Sequence, residues 1–167
     1  MIAFIDIDGT LANNDHRQHF IEKAKRLWDY FYAPENLVKD TPIPEAVAAL
    51  PKLLKESGQF VFLTGRPEYT RMATAEWLMR HFNIPTVDPE AWGKEHYRPS
   101  TYPLYMRKNK DWRKASIYKG ARVDKILSTV APTPKEEIIF FDDDLRNEEM
   151  YRQRGVFLKA PECWLDM

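Results

Sequence analysis

Three short apolar runs, Ile2-Ala3-Phe4-Ile5, Phe60-Val61-Phe62-Leu63 and Ile138-Ile139-Phe140-Phe141, each stop abruptly at polar residues of a matched kind. The first gives way to Asp6 and Asp8, the second to Thr64, the third to Asp142 and Asp143. Runs of this length without polar alternation suit strands covered on both faces, the condition of a parallel sheet. Segments of helical spacing lie between them, and that alternation is the pattern of an α/β fold. In such a sheet the carboxyl ends of all strands share one edge, where ligands bind and distant residues converge. Asp6 and Asp8, two apart in an extended segment, project to one side. Ionised carboxylates so close repel each other, and a hard divalent cation is the usual remedy. Gly9 permits the sharp departure that follows. The competing reading makes Asp8-Gly9 an ordinary turn, Thr64 a plain strand end and Asp144 a helix N-cap. Recurrence at successive strand ends favours a site.

Composition narrows the function classes. The chain has 167 residues and a formal net charge of zero, so one domain is expected, with no overall basic field to attract nucleic acid or membrane. Polyanion binding would have to come from a local patch. Cys163 is the single cysteine, which excludes a disulfide scaffold or a multi-cysteine zinc site. Without a charged leader or a span-length apolar stretch, a soluble cytoplasmic protein with no membrane partner is expected.

Between the runs, the spacing of Phe20, Ala24, Leu27, Trp28 and Phe31 predicts a helix over 16–31, with Asp15 and Gln18 as its capping pair. The proline-rich stretch 32–44 reads as loop, and together these form a small cap over the acidic strand end. A second helix is expected over 41–57, with Val47, Leu50, Leu53 and Leu54 inward, Gly58 as its stop and a kink at Pro51. Pro67 opens a helix burying Met72, Trp77, Leu78 and Phe82. Residues 84–102 read as irregular, 104–106 as a short strand. The next helix runs to about 130 on Ile117, Val123, Ile126, Leu127 and Val130. A helix over 145–154, a strand over 156–158 and a tail packed through Trp164 complete the chain.

With the motifs in this order, the chain resembles the haloacid dehalogenase (HAD) superfamily. Asp6-Ile7-Asp8-Gly9-Thr10 matches its first signature, Thr64 after an apolar strand the second, Lys119 the third, and Asp142-Asp143 the fourth. Within it, the chain is similar to the phosphatase half of phage-type polynucleotide kinases. That similarity rests on Thr64-Gly65-Arg66, Thr74-x-x-Trp77-Leu78, Met106-Arg107 before Asp111-x-Arg113-Lys114, Glu149-Met150-Tyr151-Arg152 before Gly155, His16-Arg17 and Trp28-Asp29-x-Phe31. It departs where many relatives carry arginine and this chain has Asp144, and over 88–102. No G-x-x-x-x-G-K-[ST] phosphate loop occurs, so a kinase or ligase would be a separate partner.

The resemblance implies a HAD-type, Rossmann-like parallel sheet with helices on both faces, a single domain over 1–167, and small insertions near 12–43 and 88–112. It implies a magnesium-dependent phosphomonoesterase. Asp6 would be the nucleophile that becomes aspartyl-phosphate, and Asp8 the general acid and base. Mg2+ would be held by Asp6, the main-chain carbonyl of Asp8, Asp142 and Asp143. Thr64 and the Gly65 amide would bind phosphate oxygens, while Lys119 offsets their charge.

Between Trp92 and Arg122, Lys94, Arg98, Arg107, Lys108, Lys110, Arg113, Lys114, Lys119 and Arg122 face only Glu95 and Asp111. Trp92, Tyr97, Tyr102, Tyr105 and Trp112 are interleaved. Cations with flat rings suit a single-stranded nucleic acid; the alternative is a solvated basic face over core aromatics. Arg107, Arg113 and Lys114, with Arg17, Arg66 and Gly65, are the substrate-binding candidates. The expected substrate is a phosphorylated nucleic-acid end, here a 3′-terminal phosphate. The rivals are a nucleotidase acting on free nucleotides and an inactive end-binding module. A receiver-like signalling domain is disfavoured, because the second acid pair follows the lysine instead of preceding it.

Overall fold

The computed structural model describes residues 1–22, 24–91 and 100–167. Strand β1 (Ile2–Ile5) is followed by an excursion made of β2 (Ala12–Asn13), α1 (Asp15–Gln18), α2 (Trp28–Phe31), α3 (Pro34–Leu37) and β3 (Thr41–Pro42). The chain then returns through α4 (Pro44–Leu53), β4 (Gln59–Pro67), α5 (Arg71–Phe82), β5 (Thr86–Val87) and β6 (Tyr102–Arg107). It closes with α6 (Ala115–Leu127), β7 (Ile138–Asp142), α7 (Glu148–Arg152) and β8 (Val156–Lys159). Six strands form one parallel sheet in the order β5-β6-β4-β1-β7-β8, and β2 pairs antiparallel with β3.

Strand alternation divides the core. Ala3, Ile5, Phe60, Phe62 and Phe141 face α4, α5 and the C-terminal tail; Ile2, Phe4, Val61, Leu63, Ile138 and Phe140 face α6 and α7. Both faces are therefore covered, which is why these strands can be apolar throughout. The α/β fold, a parallel sheet between helical layers, is as expected. Among the described residues no helix is long and apolar enough to cross a membrane.

The helix expected over 16–31 is not continuous. Among the described residues of this segment α1 and α2 form, because a short helix needs an apolar face to bury and there is little here: Ala24 is exposed, and the inward side chain of α1 is the charged Arg17. Asn14, not Asp15, is the N-cap position, and its Oδ1 accepts from Gln18 Nε2 at 3.0 Å. Helix α4 starts at Pro44, where a missing amide costs nothing, and stops at Leu53 soon after Pro51. Its inward face is Ala46, Ala49, Leu50 and Leu53, while Val47 is exposed. Strand β4 runs through Pro67, and a 3-10 turn precedes α5, which buries Thr74 in place of the expected Met72. On α6, Tyr118, Lys119, Gly120, Val123 and Ile126 are buried, and Ile117 is exposed. The helix expected over 145–154 is a 3-10 turn at Leu145–Asn147 followed by α7.

The tail packs as expected. Trp164 stacks on Phe141 with ring centroids 4.8 Å apart, and its Nε1 donates to the Thr10 carbonyl at 2.9 Å. It thereby supports the loop that follows the acidic strand.

Candidate active site

Register brings the acids together. Ile5 lies opposite Phe141 on β7, so Asp6 continues beside Asp142, and the Asp6 amide donates to the Phe141 carbonyl at 3.0 Å. Adjacent residues on parallel strands point to the same face, here the one covered by α6 and α7. Asp6, Asp142 and Asp143 each offer a carboxylate oxygen, all within 4.8 Å of one another. Gly9 makes room for the third. With φ at +73°, it lies so close to Asp143 that a side chain there would begin 2.1 Å from Oδ2. Gly9→Ala is expected to strain the backbone by about 1–2 kcal/mol and to push Asp143 off the cluster. The measurement is thermal stabilisation by an added divalent cation, which should shrink; an unchanged shift would contradict this role.

Helix α6 delivers Lys119 into the acids. Its Nζ lies 2.6 Å from Asp142 Oδ2 and 3.2 Å from Asp6 Oδ1, with 3% of the side chain exposed. Helix α7 and the turn before it add Tyr151 OH, which donates to Asp142 Oδ2 at 2.8 Å, and Asn147 Nδ2 at 3.3 Å. The Asp144 amide donates to Asp142 Oδ1 at 2.9 Å. Asp142 is thus fixed from both sides. Asp6 Oδ1, though close to the ammonium, is buried without a hydrogen-bond donor. Burial raises the Asp6 carboxyl well above the ordinary range; Lys119 opposes this, and Asp142, Asp143 and Asp8 reinforce it. Burial and Asp142 push Asp143 up to about 7. Lys119 gains from its carboxylate neighbours more than burial takes away, so its pKa rises. A buried excess of negative charge with an orphaned carboxylate oxygen is what a divalent cation would satisfy. The donor set is all oxygen, which suits a hard divalent cation that Asp6, Asp142 and Asp143 could hold.

Asp8 is placed differently. Its carboxylate turns away from that cluster to two arginines. Arg66 donates to Asp8 Oδ1 from Nη2 at 2.7 Å and to Oδ2 from Nε at 3.1 Å, and Arg17 Nη2 donates to Oδ1. Burial pushes the Asp8 carboxyl up, but the guanidiniums of Arg66 and Arg17 outweigh it and hold the group well below the usual carboxylate range. Arg17 and Arg66 have no exposed surface, and both guanidiniums are turned onto Asp8. Their other partner is Asp40, buried in the excursion, which the sequence offered no pattern to find.

Thr64 is fully buried near the end of β4, where its Oγ1 accepts the Arg66 amide at 3.1 Å and its carbonyl accepts from Tyr118 OH at 3.3 Å. The register with β6 shifts between Leu63 and Pro67, a bulge that re-aims Thr64, Gly65 and Arg66. Gly65 lies beside Arg107, whose Nη2 would sit 3.8 Å from a side chain placed there. Arg107 stacks over Tyr118 at 4.9 Å and donates from Nη1 to the carbonyls of Asp111 and Arg113.

The basic stretch divides into paired and exposed cations. Arg113 is tied to Asp111, Nη2 to Oδ2 at 2.6 Å, and Arg122 to Glu90, while Lys119 belongs to the acid cluster. Lys108, Lys110, Lys114 and Trp112 are exposed around Arg107, and Tyr69 joins them through its amide to Asn109 Oδ1. Trp92, Lys94, Glu95, Tyr97 and Arg98 lie outside the described residues. Asp144 is an N-cap, as expected, its carboxylate accepting the Arg146 amide at 3.0 Å.

Solved structures share the fold. The "Structure of Pnkp1/Rnl/Hen1 complex" contains a chain that matches with TM-score 0.62 and 18% identity over 95% of this chain and 45% of that one. The "Structure of the Pnkp1/Rnl/Hen1 RNA repair complex" matches with TM-score 0.61 and 16% identity, over 95% and 42%. The present chain spans less than half of either. A class C acid phosphatase from Bacillus anthracis with tungstate bound matches at TM-score 0.54 and 16% identity, covering 96% of this chain and 66% of that one. No curated protein sequence matches the chain. The family model described as the polynucleotide kinase PNKP phosphatase domain matches residues 1–159, nearly the whole chain, and the chain belongs to this family of HAD-type phosphatases.

Proposed function

We propose that this domain is a magnesium-dependent phosphomonoesterase that removes the 3′-terminal phosphate of polynucleotide ends through an aspartyl-phosphate on Asp6. The observation that carries the chemistry is the cluster of Asp6, Asp142 and Asp143 beside Lys119, with Asp8 held apart by two arginines. Magnesium bound by those acids would neutralise phosphoryl oxygens and permit a carboxylate to approach them. Asp6 attacks phosphorus from a position fixed by the β1–β7 register, and Lys119 offsets the charge that grows on the equatorial oxygens. Thr64 and the Gly65 amide would orient those oxygens, a role that the family's second signature at the end of β4 supports.

Asp8 starts as a carboxylate, the form that takes a proton from the hydrolytic water. Giving a proton to a leaving alkoxide needs the other form. A phosphoryl dianion arriving beside Asp8 adds negative charge, so Asp8 takes up a proton from solvent, passes it to the leaving alkoxide, and as carboxylate later accepts one from the hydrolytic water. The same carboxyl thus serves both half-reactions.

The substrate reading rests on the exposed group of Lys108, Lys110, Lys114 and Trp112 around Arg107, at the sheet edge that carries the acids. Cations take phosphates and an exposed indole takes a base face, a combination suited to a single-stranded end. Membership of the polynucleotide kinase phosphatase family supports the same substrate. The Pnkp1/Rnl/Hen1 assemblies support a kinase or ligase as a separate partner. We propose that residues 1–167 form one domain and that it acts in the cytoplasm.

Trp112→Ala combined with Lys114→Ala tests this. Turnover of a 3′-phosphorylated oligonucleotide should fall about tenfold or more, the value of one stacked base, while that of an aryl phosphate stays near wild type. Equal turnover of a free nucleoside 3′-monophosphate and the oligonucleotide by the unaltered protein would favour the nucleotidase reading instead.

A further inference from the structure

Asp40 lies at the end of the excursion between β1 and α4, with no exposed side-chain surface and no place in the chemistry described above. Its two carboxylate oxygens are fully engaged. Oδ1 accepts from Arg17 Nε at 2.8 Å and meets His16 Nε2 at 2.8 Å; Oδ2 accepts from Arg17 Nη2 and Arg66 Nη2, each at 2.8 Å. The backbone is pinned as well, because Trp77 Nε1 donates to the Asp40 carbonyl at 2.8 Å. The Nη2 atoms that reach Asp40 are the same ones that reach Asp8. Each guanidinium has one further support: Arg17 lies over the Phe31 ring at 4.3 Å and donates to the Phe31 carbonyl, and Arg66 Nη1 donates to Thr74 Oγ1 at 3.2 Å.

We infer that Asp40 is a positioning residue for Asp8, holding the two guanidiniums at the angle from which both reach the Asp8 carboxylate. This rests on the phosphatase reading, in which Asp8 hands a proton to the leaving alkoxide. A guanidinium is planar and its donors have fixed directions, so fixing two of its edges fixes the third. Two carboxylates and two guanidiniums alternate in this buried group, and their charges cancel. Remove the Asp40 charge and the arginines have only Asp8 to share, so the Asp8 carboxylate is drawn down onto them. Asparagine at 40 makes the point sharply: it is the same size, but its amide nitrogen would turn a donor toward donors.

The readout is sensitivity to the leaving group. A p-nitrophenolate departs without a proton, whereas the alkoxide of a nucleoside 3′-monophosphate needs one. In Asp40→Asn, the single-turnover rate of leaving-group release, which reads the first half-reaction alone, should fall about 100-fold for the nucleoside phosphate and no more than about threefold for p-nitrophenyl phosphate. Equal losses on both substrates, or no loss on either, would overturn the inference. Should that variant lack a cooperative thermal transition, Thr74→Val removes one support of Arg66 only, and must show the same bias in smaller degree; an unbiased loss overturns the inference equally. An unaltered protein inactive on both substrates would remove the phosphatase reading and this inference with it. Unbiased losses from an active one remove this inference alone.

Discussion

Asp6→Asn is expected to lower phosphatase turnover by on the order of 10⁴-fold or more, the scale of losing a covalent nucleophile, while leaving the metal-free fold as stable as before or more so. The second half of that statement follows from the site's electrostatics. Asp6 is buried among Asp142, Asp143 and Asp8, and its ionised form is disfavoured there despite Lys119. A neutral amide of the same shape relieves that repulsion. Asparagine also removes one of the three carboxylates that would hold the cation, so the thermal shift on adding magnesium should shrink. Turnover on an aryl phosphate and thermal melts with and without magnesium measure all three effects. Wild-type-like turnover would remove Asp6 from its proposed role, and a large drop in metal-free stability would show the charge balance to be misjudged.

Lys119→Met should be the most destabilising change at the site. The ammonium sits 2.6 Å from Asp142 Oδ2 and 3.2 Å from Asp6 Oδ1, nearly free of solvent. Taking one partner from such a buried group costs about 3–5 kcal/mol, since the remaining charge is left uncompensated. For a domain of this size that is a fall of about 6–20 °C in Tm. Asp6 can take up a proton in response, which places the loss near neutral pH toward the lower end. The distinguishing result is partial rescue. Magnesium at about 100 times its Kd stabilises by about 2.7 kcal/mol, and because it supplies the missing positive charge its effect should be larger in Lys119→Met than in the unaltered protein. A variant that melts within a degree or two of wild type would show the carboxylates to be compensated some other way.

What the sequence reveals here, and what it hides, follows from what each signal depends on. The strands are legible because burial on both faces forces unbroken apolar runs such as Ile138 to Phe141. Parallel topology then carries Asp6, Thr64 and Asp142 to one edge whatever lies between them. Helix faces are less legible. Val47, Met72 and Ile117 look inward by hydropathy, but Ala46, Thr74 and Gly120 occupy the close contacts, because small side chains let a helix lie near the sheet. The excursion defeats periodicity altogether, since its inner surface is built from Arg17 and Asp40 as well as Phe31 and Leu37. Asp40 stands between Lys39 and Thr41 in no recognisable motif, and only its burial against two arginines gives it meaning. Arg17 and Arg66 were visible as residues worth naming, but their direction, toward Asp8 and away from solvent, is a fact of packing.

The route by which the excursion is fastened has a consequence for traffic through the site. Arg17 and Asp40, near its two ends, interlock with Arg66 of the sheet and with Asp8 in a charge-neutral knot largely shut off from water. Swinging this hood aside would strand ions in a dry interior, so it behaves as masonry, not as a door. On the function proposed above, substrate entry and product release would proceed without displacing the excursion.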